Sequence, residues 1–483
     1  MRYLGAGPVV GSHRRVGGGS AKAAGSNRHE ARTTMSKTAN FPGPVSQQML
    51  DELQRYVIAD PFPFVLDLEH CHGMWLVTLE GQEVFDWAGY YDSKLLGHNH
   101  PRLADPAYLR RLALAAANKV PNPEFLTPQC LAYYRLLHEL APACMRNDRL
   151  EIYAINSGAE AVENMMKYLI NLHHEKLEAK GRQARGHRFL YFDQAFHGRT
   201  VFALNVTGIE SAPLITKDFD GLVAGNLQLP FPAVHTEQPE AFNEQRVCDS
   251  LQAVEAALAR YGDEIVGIIV EPIQGAGGHR LADAGFFRGL SALAHRYDVY
   301  LGFDEVQTAG GQTGTFFAID QFALPHPPQA VATGKKLGNG VVYMLRPMRD
   351  CGILDSTWGG SLADMVRFVE EMKIVREEEL IAQVPAKTAR LEAGLRELAG
   401  RFGHLLFNPR GLGLYQGFTM RRPEWRALLL EDALDREDLL LLEAGRSSVR
   451  LRPPLDVTVA EIDDLLDRLA RVLQRLSDTL ANK

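Results

Sequence analysis

The feature that most constrains this chain is a series of short, unbroken apolar runs rich in β-branched and aromatic residues: Ile152 to Ile155, Phe189 to Phe192, Ile265 to Val270 and Val299 to Phe303. Runs apolar on both alternating faces must be covered on both sides, the condition of a mainly parallel sheet flanked by helices. Between them Ala159, Val162, Met166, Leu169 and Ile170 recur at helical spacing, as do Phe286, Leu290, Leu293 and Ala294, so crossover helices of a doubly wound α/β sheet are expected. Earlier, residues 82–87 (Gln-Glu-Val-Phe-Asp-Trp) alternate polar and apolar behind Gly81, predicting a hairpin arm with one half-buried face. A helical pattern from about 361 to 402, interrupted near Pro385, leads to a turn-rich stretch over 404–457. An amphipathic C-terminal helix follows, with Ile462, Leu465, Leu466, Leu469, Val472 and Leu473 inward. The expected division is a disordered tail over 1–40, an N-terminal segment of a small domain over 41–100, a large domain over 101–360, and a linking helix with the C-terminal part of the small α+β domain over 361–483.

Charge and cysteine usage narrow the partners. A net charge of −7 with both signs interspersed leaves no basic footprint for nucleic acid. No apolar run approaches the roughly 18 residues of a spanning helix, so no membrane partner is expected. Cys71, Cys130, Cys144, Cys248 and Cys351 are scattered, odd in number and unpaired in spacing, which argues for a reducing compartment, the cytoplasm, and against a zinc site. His70-Cys71-His72 puts two imidazoles on one face of an extended segment, but no metal is expected there. The first forty residues are rich in Gly, Ser, Ala and Arg, with Glu30 the only acid and no signal-peptide core, and Met35 is expected to be the true start.

The loops after the apolar runs carry the chemistry. Asn156-Ser157-Gly158-Ala159 follows one run and opens a helix, so its amides can hold a phosphate. Ala195-Phe196-His197-Gly198-Arg199 supplies an aromatic face, a flexible glycine and a cation. Asp304 ends a buried strand, where an acid needs a cationic or hydrogen-bonding partner, and Gln307 lies just beyond it. Gly334-Lys335-Lys336-Leu337-Gly338 places a lysine in a glycine-rich loop after another apolar run, where an amine near a cationic group becomes a nucleophile.

In order and spacing these four loops resemble the class III (subgroup II, ω-amino acid) aminotransferases, pyridoxal 5′-phosphate (PLP) enzymes of fold type I. Leu96-Gly97-His98-Asn99-His100-Pro101, Val270-Glu271-Pro272-Ile273-Gln274-Gly275 and Ser356-Thr357-Trp358-Gly359-Gly360 extend the resemblance from about residue 60 to the C-terminus. It implies that Lys335, rather than Lys336, forms the internal aldimine and that Asp304 binds the pyridine nitrogen. By the same resemblance Phe196 stacks on the ring, Gln307 approaches its phenolic oxygen, and Ser157, Gly158 and Ala159 hold the phosphate. Thr357 would reach the phosphate of the neighbouring subunit, implying a homodimer with shared sites. Within the family the chain is similar to the lysine ε-aminotransferase group through Lys335-Lys336, Ser356 to Gly360 and Val449-Arg450-Leu451-Arg452-Pro453-Pro454-Leu455. That similarity implies transfer of an ω-amino group, first the ε-amine of L-lysine, to 2-oxoglutarate. Arg199 would grip the distal carboxylate, and Arg450 the α-carboxylate, masked by Glu271 when the amine donor is bound. Asn156 and Asp355 depart from that group, which carries an acidic residue and an asparagine there. Another donor, 4-aminobutyrate or a diamino acid, is therefore an alternative, and a non-catalytic binding protein on the same fold is the reading from another class.

Overall fold

In the computed structural model, which describes residues 41–481 apart from 184, 185, 220 and 351, the apolar runs form one seven-stranded sheet. From one edge its strands are Glu151–Ile155, Gly340–Met344, Ala330–Thr333, Tyr300–Asp304, Ile265–Val270, Arg188–Phe192 and Leu227–Leu229. All neighbours are parallel except Gly340–Met344, which runs against both of its partners. Every residue of Ile265–Val270 is buried, as its lack of alternation requires. Ser157 caps the helix Gly158–Ala179 by accepting from the Glu160 amide. That helix lays Val162, Met165, Met166, Leu169 and Leu172 on the sheet, each worth roughly 1.5–3 kcal/mol when fully buried. The tail over 1–40, with Met35, and Cys351 lie outside the described residues.

A second sheet joins the two ends of the chain. Trp75–Val77 pairs antiparallel with Glu83–Asp86, and Leu439–Leu440 adds to the latter in parallel. The arm was expected to have one exposed face, yet Val84, Phe85 and Asp86 are all buried. The reason is tertiary: Phe85 stacks on Trp75 with centroids 4.6 Å apart beneath the Arg468 guanidinium, and Asp86 is consumed by the Ala88 and Gly89 amides, each at 2.9 Å. Just beyond, Gly89, Tyr90, Tyr91 and Asp92 are successively left-handed, with φ of 53, 49, 58 and 74°. For the three L residues this costs roughly 1–2 kcal/mol each.

The helical pattern after residue 361 resolves into Leu362–Glu377, capped by Ser361, and Val384–Arg401, with Pro385 in the first turn of the second helix where its missing N–H is harmless. Leu406–Leu412, Tyr415–Met420, Ser448–Leu451 and Leu442–Ala444 form a four-stranded antiparallel sheet in that order. The helix Val459–Ala481 buries all six residues expected to face inward, and Leu476 besides. No helix among the described residues is long and apolar enough to cross a membrane.

Candidate active site

Chain order reverses within the large sheet, and the loops at the carboxyl ends of its parallel strands meet there, as ligand-binding crevices of open α/β sheets do. Gly158 opens its helix against the acidic loop so closely that a Cβ would lie 2.6 Å from Val306 Cγ1. Gly198, at φ 135°, brings the Phe196–Arg199 loop onto the same helix start, where a Cβ would lie 2.8 Å from that of Ala159. Three of the loops singled out in the sequence thus pack on one another. Ser157, next to them, is exposed.

Asp304 is buried at the end of its strand, and both of its oxygens are engaged. Oδ2 accepts from His197 Nδ1 at 2.8 Å, and Oδ1 from the Val306 amide at 3.0 Å. His197 is itself buried, with its Nε2 unpartnered, so the imidazole serves the carboxylate through one nitrogen. In the sequence His197 sits inside its motif without an evident task, because nothing in one dimension ties it to a residue 107 positions later.

The resemblance implies that Glu271 masks Arg450 when the amine donor is bound. The Glu271 carboxylate accepts from the Phe196 amide at 2.9 Å, and among the described residues no ion pair joins it to Arg450. Burial and the neighbouring Asp304 charge raise the Glu271 carboxyl well above its usual range, against the Phe196 amide and the weaker pull of Arg450. Glu271 leaves a strand of the large sheet beside Asp304 and, through one carboxylate oxygen, fixes the half-buried Phe196. Arg450 is buried and donates from Nε to the Glu443 carbonyl at 3.1 Å and from Nη1 to Gln307 Oε1 at 3.3 Å.

The two lysines differ sharply. Lys336 is fully buried, its amine donating to the Gln307 carbonyl at 2.7 Å, the Asp92 carbonyl at 3.1 Å and the Tyr415 hydroxyl at 2.6 Å. Burial pulls its pKa down to about 7. Lys335 keeps 24% of its side chain exposed, donates to the Tyr91 carbonyl, and lies 3.8 Å from Asp92 Oδ2. Burial also lowers its proton affinity, which Asp92 partly restores. A depressed pKa alone favours Lys336, but that amine has no spare direction and no opening, whereas Lys335 can be reached.

Arg199 and Thr357 are exposed. The turn bearing Thr357 is pinned by the Asn122 side chain, which donates to the Trp358 and Gly360 carbonyls at 3.2 Å each. It leans on the start of the phosphate loop, where Asn156 Nδ2 reaches Ser356 Oγ at 3.3 Å, while Asp355 accepts from the Tyr153 hydroxyl at 3.4 Å. Both departures from the lysine ε-aminotransferase pattern therefore lie on this turn and its support. His70 and His72 are exposed, with His70 Nδ1 2.8 Å from Asp67.

The model of the class-III aminotransferase family matches residues 58–473. The L-lysine-epsilon aminotransferase of Amycolatopsis lactamdurans is 31% identical over 444 residues, spanning 89% of this chain and 96% of that protein. The enzyme of the same name from Mycobacterium tuberculosis is 32% identical over 422 residues, spanning 85% and 92%. A solved structure described as lysine aminotransferase from M. tuberculosis in the internal aldimine form superposes with a TM-score of 0.82 at 29% identity, covering 89% of this chain and 99% of that one. The family match begins ahead of the first small sheet and ends inside the last helix, and the architecture is shared with a solved relative over nearly the whole of that relative's length, so the chain belongs to the class-III aminotransferases.

Proposed function

We propose that this aminotransferase moves the terminal amino group of an ω-amino acid, the ε-amine of L-lysine first among them, to 2-oxoglutarate, yielding glutamate and a semialdehyde. The observation that carries the choice of donor is the likeness to L-lysine-epsilon aminotransferases over most of the chain. PLP is the cofactor of the family, and when bound it supplies the electron sink for loss of a proton from the carbon bearing the amine.

The residues present fit that group. Asp304, oriented by His197 and the Val306 amide, offers a fixed anion for a pyridinium nitrogen. First-turn amides of a helix have no helical acceptor, so Gly158 and Ala159, with the Ser157 hydroxyl, suit a phosphate. Phe196, fixed by Glu271, would pack on the ring, and Gln307 would serve the phenolic oxygen. Lys335 would hold the cofactor, and its Nζ, once displaced by the incoming amine, would move the proton at the reacting carbon. Arg450 binds the α-carboxylate of 2-oxoglutarate and Arg199 the distal one. Exposure of Thr357 and Arg199 in a single chain supports a homodimer in which Thr357 completes the neighbouring phosphate site, and the scattered, unpaired cysteines suit the cytoplasm.

The test uses purified PLP-loaded protein with 2-oxoglutarate and, in turn, L-lysine, ornithine and 4-aminobutyrate, measuring glutamate. L-Lysine should give the highest kcat/KM. Transfer from none of these amines would sink the reading, and a clear preference for 4-aminobutyrate would replace the donor.

A further inference from the structure

Besides Glu271, which accepts from the Phe196 amide through one oxygen, the structure holds a second buried anion at the cationic side of the site, one that the sequence motifs passed over. Arg450 and Arg452 leave the same strand end two residues apart and are both buried, and Lys335 lies beside them. Facing them is Asp92, its side chain wholly buried, with Oδ1 ion-paired to Arg452 Nε and Oδ2 3.8 Å from Lys335 Nζ. Neither oxygen has an aligned hydrogen-bond donor, so the carboxylate is held by charge and keeps acceptor capacity free. It sits on the left-handed turn of Gly89 to Asp92, a conformation that L residues keep only where the surroundings impose it.

We propose that Asp92 is a specificity-determining residue: the buried carboxylate that offsets Arg452 and Arg450 beside Lys335, favouring a donor whose reacting carbon bears only an ammonium group and opposing an α-carboxylate. The inference rests on the assignment of Lys335 as the cofactor lysine. Its logic is electrostatic. An ω-amine brings a cation and a methylene chain to the place where Asp92 already neutralises the arginines, so no buried guanidinium is left uncompensated. An α-carboxylate must compete with Asp92 for the same cations, so 2-oxoglutarate binding carries a penalty that the donor does not meet. Burial alone would raise the Asp92 carboxyl, but Arg452, Lys335, Arg450 and Lys336 outweigh it and hold the acid below the usual range, keeping it anionic. Among the charges that act on Arg450, that of Asp92 ranks first.

The experiment measures the Kd of glutarate, an unreactive dicarboxylate, on the PLP-loaded enzyme by calorimetry, together with single-turnover rates for L-lysine and for glutamate. Asp92→Asn should tighten glutarate about tenfold and lower the lysine-to-glutamate rate ratio by about tenfold or more. Arg452→Gln should shift both in the opposite direction, and it keeps the test open should Asp92→Asn fail to fold. Glutarate affinity unchanged in Asp92→Asn, or weakened alike in both variants, would overturn the proposal. Borohydride reduction and peptide mapping separate the two readings: a label away from Lys335 defeats the site assignment, whereas a label on Lys335 with no change in selectivity defeats only the role of Asp92.

Discussion

Replacing His197 by Phe keeps a planar ring of similar size in its buried slot while deleting the Nδ1 donor that reaches Asp304 Oδ2 at 2.8 Å. Asp304 retains one donor, the Val306 amide at 3.0 Å, so the carboxylate loses about half of its direct support. A hydrogen bond to a charged group contributes about 1.5–3 kcal/mol, and each 1.4 kcal/mol is tenfold. If that support is fully used in holding Asp304 anionic opposite the pyridine nitrogen, kcat should fall roughly 10- to 100-fold. KM for the amine donor should change little, because His197 lies behind Asp304 and touches no substrate group. His197→Gln retains an N–H donor and should recover part of the loss. The measurements are steady-state kinetics with the best donor and the rate of cofactor dissociation. Turnover within twofold of the unsubstituted enzyme and equal cofactor retention in His197→Phe would refute the reasoning, since Asp304 would then be fixed without the imidazole.

Lys335→Ala should fold, bind PLP weakly and not turn over, whereas Lys336→Met should lower Tm by stranding the Gln307 carbonyl and the Tyr415 hydroxyl yet leave the borohydride label on Lys335. Gly198→Val meets both a positive φ of 135° and the Ala159 Cβ, and should raise the Kd for PLP about tenfold, read by equilibrium dialysis, with unchanged affinity refuting the tight packing of those loops. Burial pushes the Glu305 carboxyl from its ordinary 4.5 up to about 7, against the Thr308 hydroxyl and the Ala318 and Ile319 amides. A folded value above the unfolded one means stability that is fully present below pH 4.5 and lost as pH rises through about 7. Denaturant titrations should therefore show a loss on the order of 3 kcal/mol between pH 4 and 8 from this group, a slope that Glu305→Gln should flatten and whose persistence in that variant would exclude Glu305 as its source.

What the sequence determined by itself was the part of the molecule governed by local pattern. Ile265 to Val270 has no polar face, so it could only be an interior strand, and the apolar spacing of the last helix fixed its inward side before any partner was known. The carboxyl ends of those strands, with Asp304, Lys335 and the helix start at Ser157, were legible because loop position follows from strand position. Gly340–Met344 was not, because an antiparallel strand between two distant neighbours is specified by the edges it fills rather than by its own five residues. Nor was the burial of both faces of Glu83–Asp86, which depends on Trp75 and Leu439–Leu440 arriving from opposite ends of the chain. The charge partners were decided only in three dimensions. Neither the contact of Glu271 with the Phe196 amide nor that of Asp92 with Arg452, across 360 residues of chain, could be read from the motifs. Sequence fixes which groups carry charge. Desolvation makes each buried charge take the nearest available partner, and only the folded chain determines which partner is near.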